Sequence, residues 1–301
     1  MTHKKIKSIF CSYSQITLLE NTWSGFLFFI AILISSIEMD NIKIFFYSAF
    51  SAILSTSISI FFGYSKEGIS KGLFGYNAIL YSIALAIFFP LSSRVIILLI
   101  VGVISIVVLT PVINSILRNT PILTTPFIIM TWVACKINGY TIDQTPVIND
   151  FTSVSISKYS SAFVLNYTEV FLLSSVVGGL FMMLGILLGG KKLFFITCAT
   201  SALSIIISIN DSLSIKQDVL AGLYGYNIIL TTIAIYIFRT KKTTIDLLSG
   251  FCGILFTLKS TAFLSKFLLT YSIPMLTLPF ILGTWIYILI QKMISHSLNR
   301  Y

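Results

Sequence analysis

The chain has 301 residues, of which 56% are hydrophobic and 10% charged, with a formal net charge of +10 and a mean hydropathy of +0.96. Those values exclude an ordinary soluble domain of this length. The positive balance comes without a basic–aromatic patch, which sets nucleic acid aside, and lysines beside apolar runs fit the cytoplasmic loops of a membrane protein.

A bilayer-spanning helix needs roughly 20 mostly apolar residues, and such runs succeed one another along the chain. The first residues carry Lys4, Lys5 and Lys7 but no cleavable signal pattern, because Gln15, Glu20 and Asn21 interrupt the next segment. Residues 9–19 are too short to span and read as a half-helix or re-entrant piece. Apolar runs then cover 24–37, 42–64 and 73–89, the last stopping at Pro90. The run 95–109 is expected to end before Pro111, with a short amphipathic piece reaching Arg118, and 124–135 contains a break at Pro126. Residues 140–161, with Asp143, Pro146, Asn149 and Asp150, form the one long polar connection.

Beyond it the plan returns. A short segment at 163–173 precedes an apolar run to Leu188, a Gly-Gly-Lys-Lys turn at 189–192 and a run over 193–209. Runs at 223–238 and 247–263 come next, then a short piece around Lys266 and a last segment at 277–290. Cys11, Cys135, Cys198 and Cys252 show no paired spacing and read as packing thiols. His3 and His296 lie near the termini and form no metal cluster, so neither metal nor cofactor is expected.

Three motifs are repeated. Gly72-Leu73-Phe74-Gly75-Tyr76-Asn77-Ala78-Ile79-Leu80 returns as Gly222-Leu223-Tyr224-Gly225-Tyr226-Asn227-Ile228-Ile229-Leu230, with seven of nine positions identical. Thr124-Thr125-Pro126-Phe127 before Thr131-Trp132 is matched by Thr277-Leu278-Pro279-Phe280 before Thr284-Trp285. The stretch led by Gln15 is matched more loosely by the one led by Glu169. All three recur in the same order about 150 residues later, as a duplicated architecture requires. The expected units are a first membrane repeat over 1–139, a polar linker over 140–161 and a second repeat over 162–301. About five crossings per half, an odd number, would insert the second half upside down, with broken helices meeting near the midplane. Both termini then face one side, and Lys4, Lys5, Lys7, Arg239, Lys241 and Lys242 favour the cytoplasm for it, with Lys191-Lys192 a mild exception.

These paired stretches resemble the urea transporter family, bacterial branch, over nearly the whole chain. The resemblance implies an all-α integral membrane protein of two inverted halves, with about ten transmembrane helices plus two half-spanning ones. It also implies a narrow pore through each protomer of a homotrimer in a bacterial inner membrane, and passive urea permeation without a coupling ion. The matching family positions line two slots, here Tyr76 with Leu80 and Tyr226 with Leu230, and place Gln15 and Glu169 at the two ends of the filter. A threonine pair lines the family's pore centre; Thr124 with Thr277 is one match and Thr131 with Thr284 the other.

The residue chemistry agrees. Stripping an amide of water without replacement hydrogen bonds costs roughly 4–8 kcal/mol on a cyclohexane scale. A urea pore must therefore offer acceptors to N–H groups between flat walls, which a ring and a Leu one helical turn on provide. An intramembrane carboxyl such as Glu169 is costly and usually functional, although a solvated loop acid is the blander reading. Asn77 and Asn227 are expected to hold backbone ends, with pore lining second. No nucleophile elbow, phosphate loop or catalytic carboxylate pair is present, so an enzyme is not expected. The competing readings are an ion-coupled secondary transporter and a non-transporting membrane component.

Overall fold

Lipid offers the backbone no hydrogen bonds, so a chain this apolar must satisfy its own, and helices do that within one segment. The computed structural model describes residues 2–118, 120–140, 156–212, 214–239 and 244–298, and every regular element among them is helical. Most of the polar connection expected at 140–161 lies outside the described residues, as do Lys241 and Lys242.

The first half comprises α1 (Thr2–Ser14), α2 (Thr22–Glu38), α3 (Lys43–Phe61), α4 (Lys66–Ser70), α5 (Tyr76–Phe88), α6 (Ser93–Leu117) and α7 (Thr125–Asn138). The second comprises α8 (Ile156–Thr168), α9 (Val176–Gly189), α10 (Lys191–Asn210), α11 (Lys216–Leu220), α12 (Gly225–Phe238), α13 (Thr244–Leu269) and α14 (Leu278–Leu298). Among the described residues four helices, α3, α6, α10 and α13, are long and apolar enough to cross a membrane. The number is six if the bent pairs α1–α2 and α8–α9 each count as one span. The bends are 79° and 75°. Between the arms lie 3-10 turns, Gln15–Thr17 and Glu169–Phe171, where each bent pair changes direction.

Prolines and lysines divide the chain less than their types suggest. Helix α6 runs through Pro111 to Leu117 instead of ending before it, so the separate piece reaching Arg118 does not exist. Proline removes one backbone bond, but ending the helix in apolar surroundings would expose several more unpaired groups. Beside the ring, Thr110 donates its hydroxyl to Ile106 O at 2.8 Å. Helix α13 likewise continues past Lys266, which lies exposed in its last turn, where a long stem lets the ammonium reach water. Pro126 does not break α7 but sits in its first turn, where the missing N–H would have lacked a partner anyway.

Small residues let the helices close on one another. Packing between the halves runs through α2 and α9, where a Cβ added at Gly185 would lie 2.3 Å from the Phe28 ring. Within the halves, a Cβ at Gly25 would stand 1.8 Å from Phe10 O, and one at Gly179 2.6 Å from Val164 O. Because the obstacle at Gly25 is main chain, Gly25→Ala is expected to cost at least about 1–3 kcal/mol, seen as a lower melting temperature in detergent. An unchanged melting temperature would show that α1 can back away from α2. Serines on α3 return their hydroxyls to their own helix, Ser55 to Ser51 O at 2.6 Å and Ser59 to Ser55 O at 2.7 Å. Large apolar side chains such as Phe46, Phe61, Ile116, Phe195 and Leu247 point outward, where lipid is the natural solvent. One buried acid ties down the second half: Asp246 meets Arg239 Nε at 2.6 Å and accepts from Tyr287 at 2.7 Å and Gln291 at 3.0 Å.

Candidate functional site at the junction of the two halves

Each 3-10 turn ends in a left-handed leucine. Leu18 (φ 56°) and Leu172 (φ 59°) turn back so that their N–H groups bond Gln15 O and Glu169 O, both at 2.9 Å. The tight turn stops each half-helix inside the protein and buries the side chain that leads it. Gln15 is 7% exposed and Glu169 6%. Gln15 Oε1 is buried and has no partner among the described residues.

The repeated glycine motif presses onto the same half-helices. Gly72 (φ 75°) and Gly222 (φ 87°) adopt the left-handed conformation open to glycine. A Cβ on Gly72 would fall 2.3 Å from Ser12 N, and one on Gly222 2.7 Å from Leu165 C. The chain must turn there, so α5 and α12 start only at Tyr76 and Gly225 rather than at the leucines.

The first turns of α5 and α12 carry a pair of matching staples. The Tyr76 hydroxyl donates to Leu123 O, and Asn77 Nδ2 reaches the same oxygen at 3.3 Å. Asn77 Oδ1 in turn accepts from Phe127 N at 3.3 Å, satisfying one of the orphan N–H groups that open α7. In the second half Tyr226 donates to Leu276 O at 2.5 Å, Asn227 Nδ2 reaches it at 3.5 Å, and Asn227 Oδ1 accepts from Phe280 N at 3.3 Å. Leu123 and Leu276 have φ of 48° and 51°, which turns their carbonyls to these donors. The asparagines thus hold backbone ends, as their place before an apolar run implied. Both tyrosine hydroxyl protons are committed to main chain, so neither hydroxyl has a donor left for a solute.

Where the halves meet, the hydroxyls of Thr124 and Thr277 stand 2.7 Å apart. Two crossed bonds flank them: Trp132 Nε1 donates to Pro274 O and Trp285 Nε1 to Pro121 O, each at 2.9 Å. Thr131 and Thr284 are fully buried, and among the described residues their hydroxyls have no partner and do not bond each other. Leu80 and Leu230, each 1% exposed, lie one turn beyond the rings on α5 and α12.

Beside the second staple opens a cavity of about 360 Å³ whose wall includes Glu169, Leu172, Asp218, Tyr226 and Leu276. Gln15, Tyr76, Leu80, Thr124, Leu230 and Thr277 do not line it. Burial raises the Asp218 carboxyl above the usual carboxylate range. Five contributors escape a reading of side-chain patterns. Leu123, Leu276 and the two prolines act through carbonyls, which no such pattern reveals, although Pro121-Ile122-Leu123-Thr124 and Pro274-Met275-Leu276-Thr277 extend the repeat upstream. Asp218 stands where the first half has Gly68, a difference visible within the repeat itself.

Among the described residues no group of three or more His, Cys, Asp or Glu is placed to hold a metal. No curated protein matches the chain. The family model described as urea transporter matches residues 6–292. That match takes in both copies of every repeated motif and both staples, and the chain accordingly belongs to the urea transporter family, whose work is membrane transport rather than catalysis.

Proposed function

We propose that the protein is a passive, channel-type urea transporter whose path runs past the two staples and alongside the bridged threonine pair. The observation that carries this is the crossed junction: each half's tryptophan holds the other half's threonine loop, and the two hydroxyls meet at 2.7 Å. A fixed polar centre between two flat-walled slots suits a neutral planar solute that must exchange water for protein acceptors and then leave quickly. In this reading Tyr76 with Leu80 and Tyr226 with Leu230 form the slots, Gln15 and Glu169 supply acceptors at the two ends, and Thr124 and Thr277 bridge the middle.

The matched order of α1–α7 and α8–α14 supports two inverted repeats over 1–139 and 162–301. Helices α2, α3, α5, α6 and α7 with their counterparts give ten crossings, and α1 and α8 are the half-spanning pieces. A homotrimer in a bacterial inner membrane, with both termini cytoplasmic, completes the proposal, on the family resemblance and the lysines of the N-terminal segment.

Purified protein in liposomes is expected to speed urea equilibration with no proton or sodium gradient. Accumulation above the outside concentration, driven by an ion gradient, would instead establish the ion-coupled mechanism. Absence of urea flux in folded protein would leave the non-transporting reading.

A further inference from the structure

The cavity beside the second staple is more acidic than a urea path requires. Asp218 and Glu169 both line it, and no lysine, arginine or histidine does. Neither carboxyl takes part in any ion pair or side-chain hydrogen bond found among the described residues, and Glu169, only 6% exposed, turns into the cavity without a protein donor. Four aromatic residues share the wall, Phe88, Tyr140, Tyr224 and Tyr226, and the first two rings stand 4.9 Å apart. The matching places in the first half hold Gly68 and Gln15, so duplication did not create this carboxyl pair and only one half carries it.

Unpaired carboxylates beside aromatic faces are the chemistry that recognises a cation. Carboxylates take charge-assisted N–H bonds in a forked geometry, and ring faces attract positive charge. The slot beyond selects flat solutes. A guanidinium group is planar like urea and presents N–H donors on every edge, but it carries a full charge and no acceptor.

We propose that this cavity is a binding site for a small planar organic cation of the guanidinium class, which plugs the urea path from that end. Asp218 is the rim anchor and Glu169 the floor. The inference rests on the channel reading in one respect, that the cavity lies on the path of urea.

The test uses guanidinium chloride, far below denaturing concentration, against sodium chloride at equal ionic strength. In liposomes guanidinium should slow urea flux through the wild type. Asp218→Asn should raise the half-blocking concentration roughly tenfold, each protein being referred to its own urea flux. Binding is read separately, as a guanidinium-dependent rise in melting temperature of detergent-solubilised protein, smaller in Asp218→Asn. Should Asp218→Asn not fold, Asp218→Gly copies the first half's residue and serves in its place. Stabilisation without block would uphold the cation site while taking the cavity off the urea path. Guanidinium no more effective than sodium in both assays, or equally effective without the Asp218 carboxyl, would overturn the proposal.

Discussion

Glu169→Leu is expected to remove most of the urea flux, whereas Glu169→Gln should keep a substantial part of it. Glu169 opens a buried 3-10 turn and lines a cavity, and no donor among the described residues bonds its carboxyl. Its oxygens are therefore available to the N–H groups of a passing urea. Leaving a desolvated N–H without an acceptor costs about 1–3 kcal/mol, which corresponds to roughly five- to a hundredfold in rate if the partner is lost at the barrier. Glutamine preserves the shape and one acceptor. Leucine offers none, and urea would shed water there without replacement. Stopped-flow flux in liposomes, with melting temperatures alongside, measures this. Wild-type flux in folded Glu169→Leu would remove the residue from the path.

The second large effect is expected at the rings. Tyr226→Ala deletes a flat wall of the cavity and also the donor on Leu276 O, leaving that carbonyl to Asn227 alone. Tyr76→Ala does the same to Leu123 O in the first half. Both variants should lose stability, because the rings are nearly buried and truncating a buried aromatic costs about 3–5 kcal/mol. The informative readout is therefore selectivity. If the rings set the slot width, the surviving protein should pass dimethylurea and water more readily relative to urea. Tyr→Phe keeps the face and gives up one hydrogen bond, so it should alter selectivity far less. A lower melting temperature with an unchanged permeability ratio at both sites would make the rings packing residues only.

The repeated stretches already show, as text, that something at Tyr76 and Tyr226 has to happen twice. They do not show which way the hydroxyls point. That answer needs Leu123 and Leu276, 47 and 50 residues further along the chain. Likewise the two threonine pairs of the TxPFxxxTW copies are indistinguishable as text. In the fold one pair meets at 2.7 Å, and the other is buried apart.

The recurring motifs are legible as a duplication in the sequence itself, and composition and hydropathy determined the solvent of this protein and its helical class. Those properties follow from the summed burial preference of many residues, and no single residue can reverse them. Proline and lysine are weaker signals than their types suggest, because a local helix-breaking tendency yields where apolar surroundings penalise every unpaired backbone group, as at Pro111. The tertiary structure alone decided the geometry of the candidate site. Carbonyl directions at Leu123 and Leu276, the crossed tryptophan bonds and the cavity holding Asp218 with Glu169 arise between segments far apart in sequence. A hydrogen bond depends on distance and angle within a fraction of an ångström, and only the packed chain sets those.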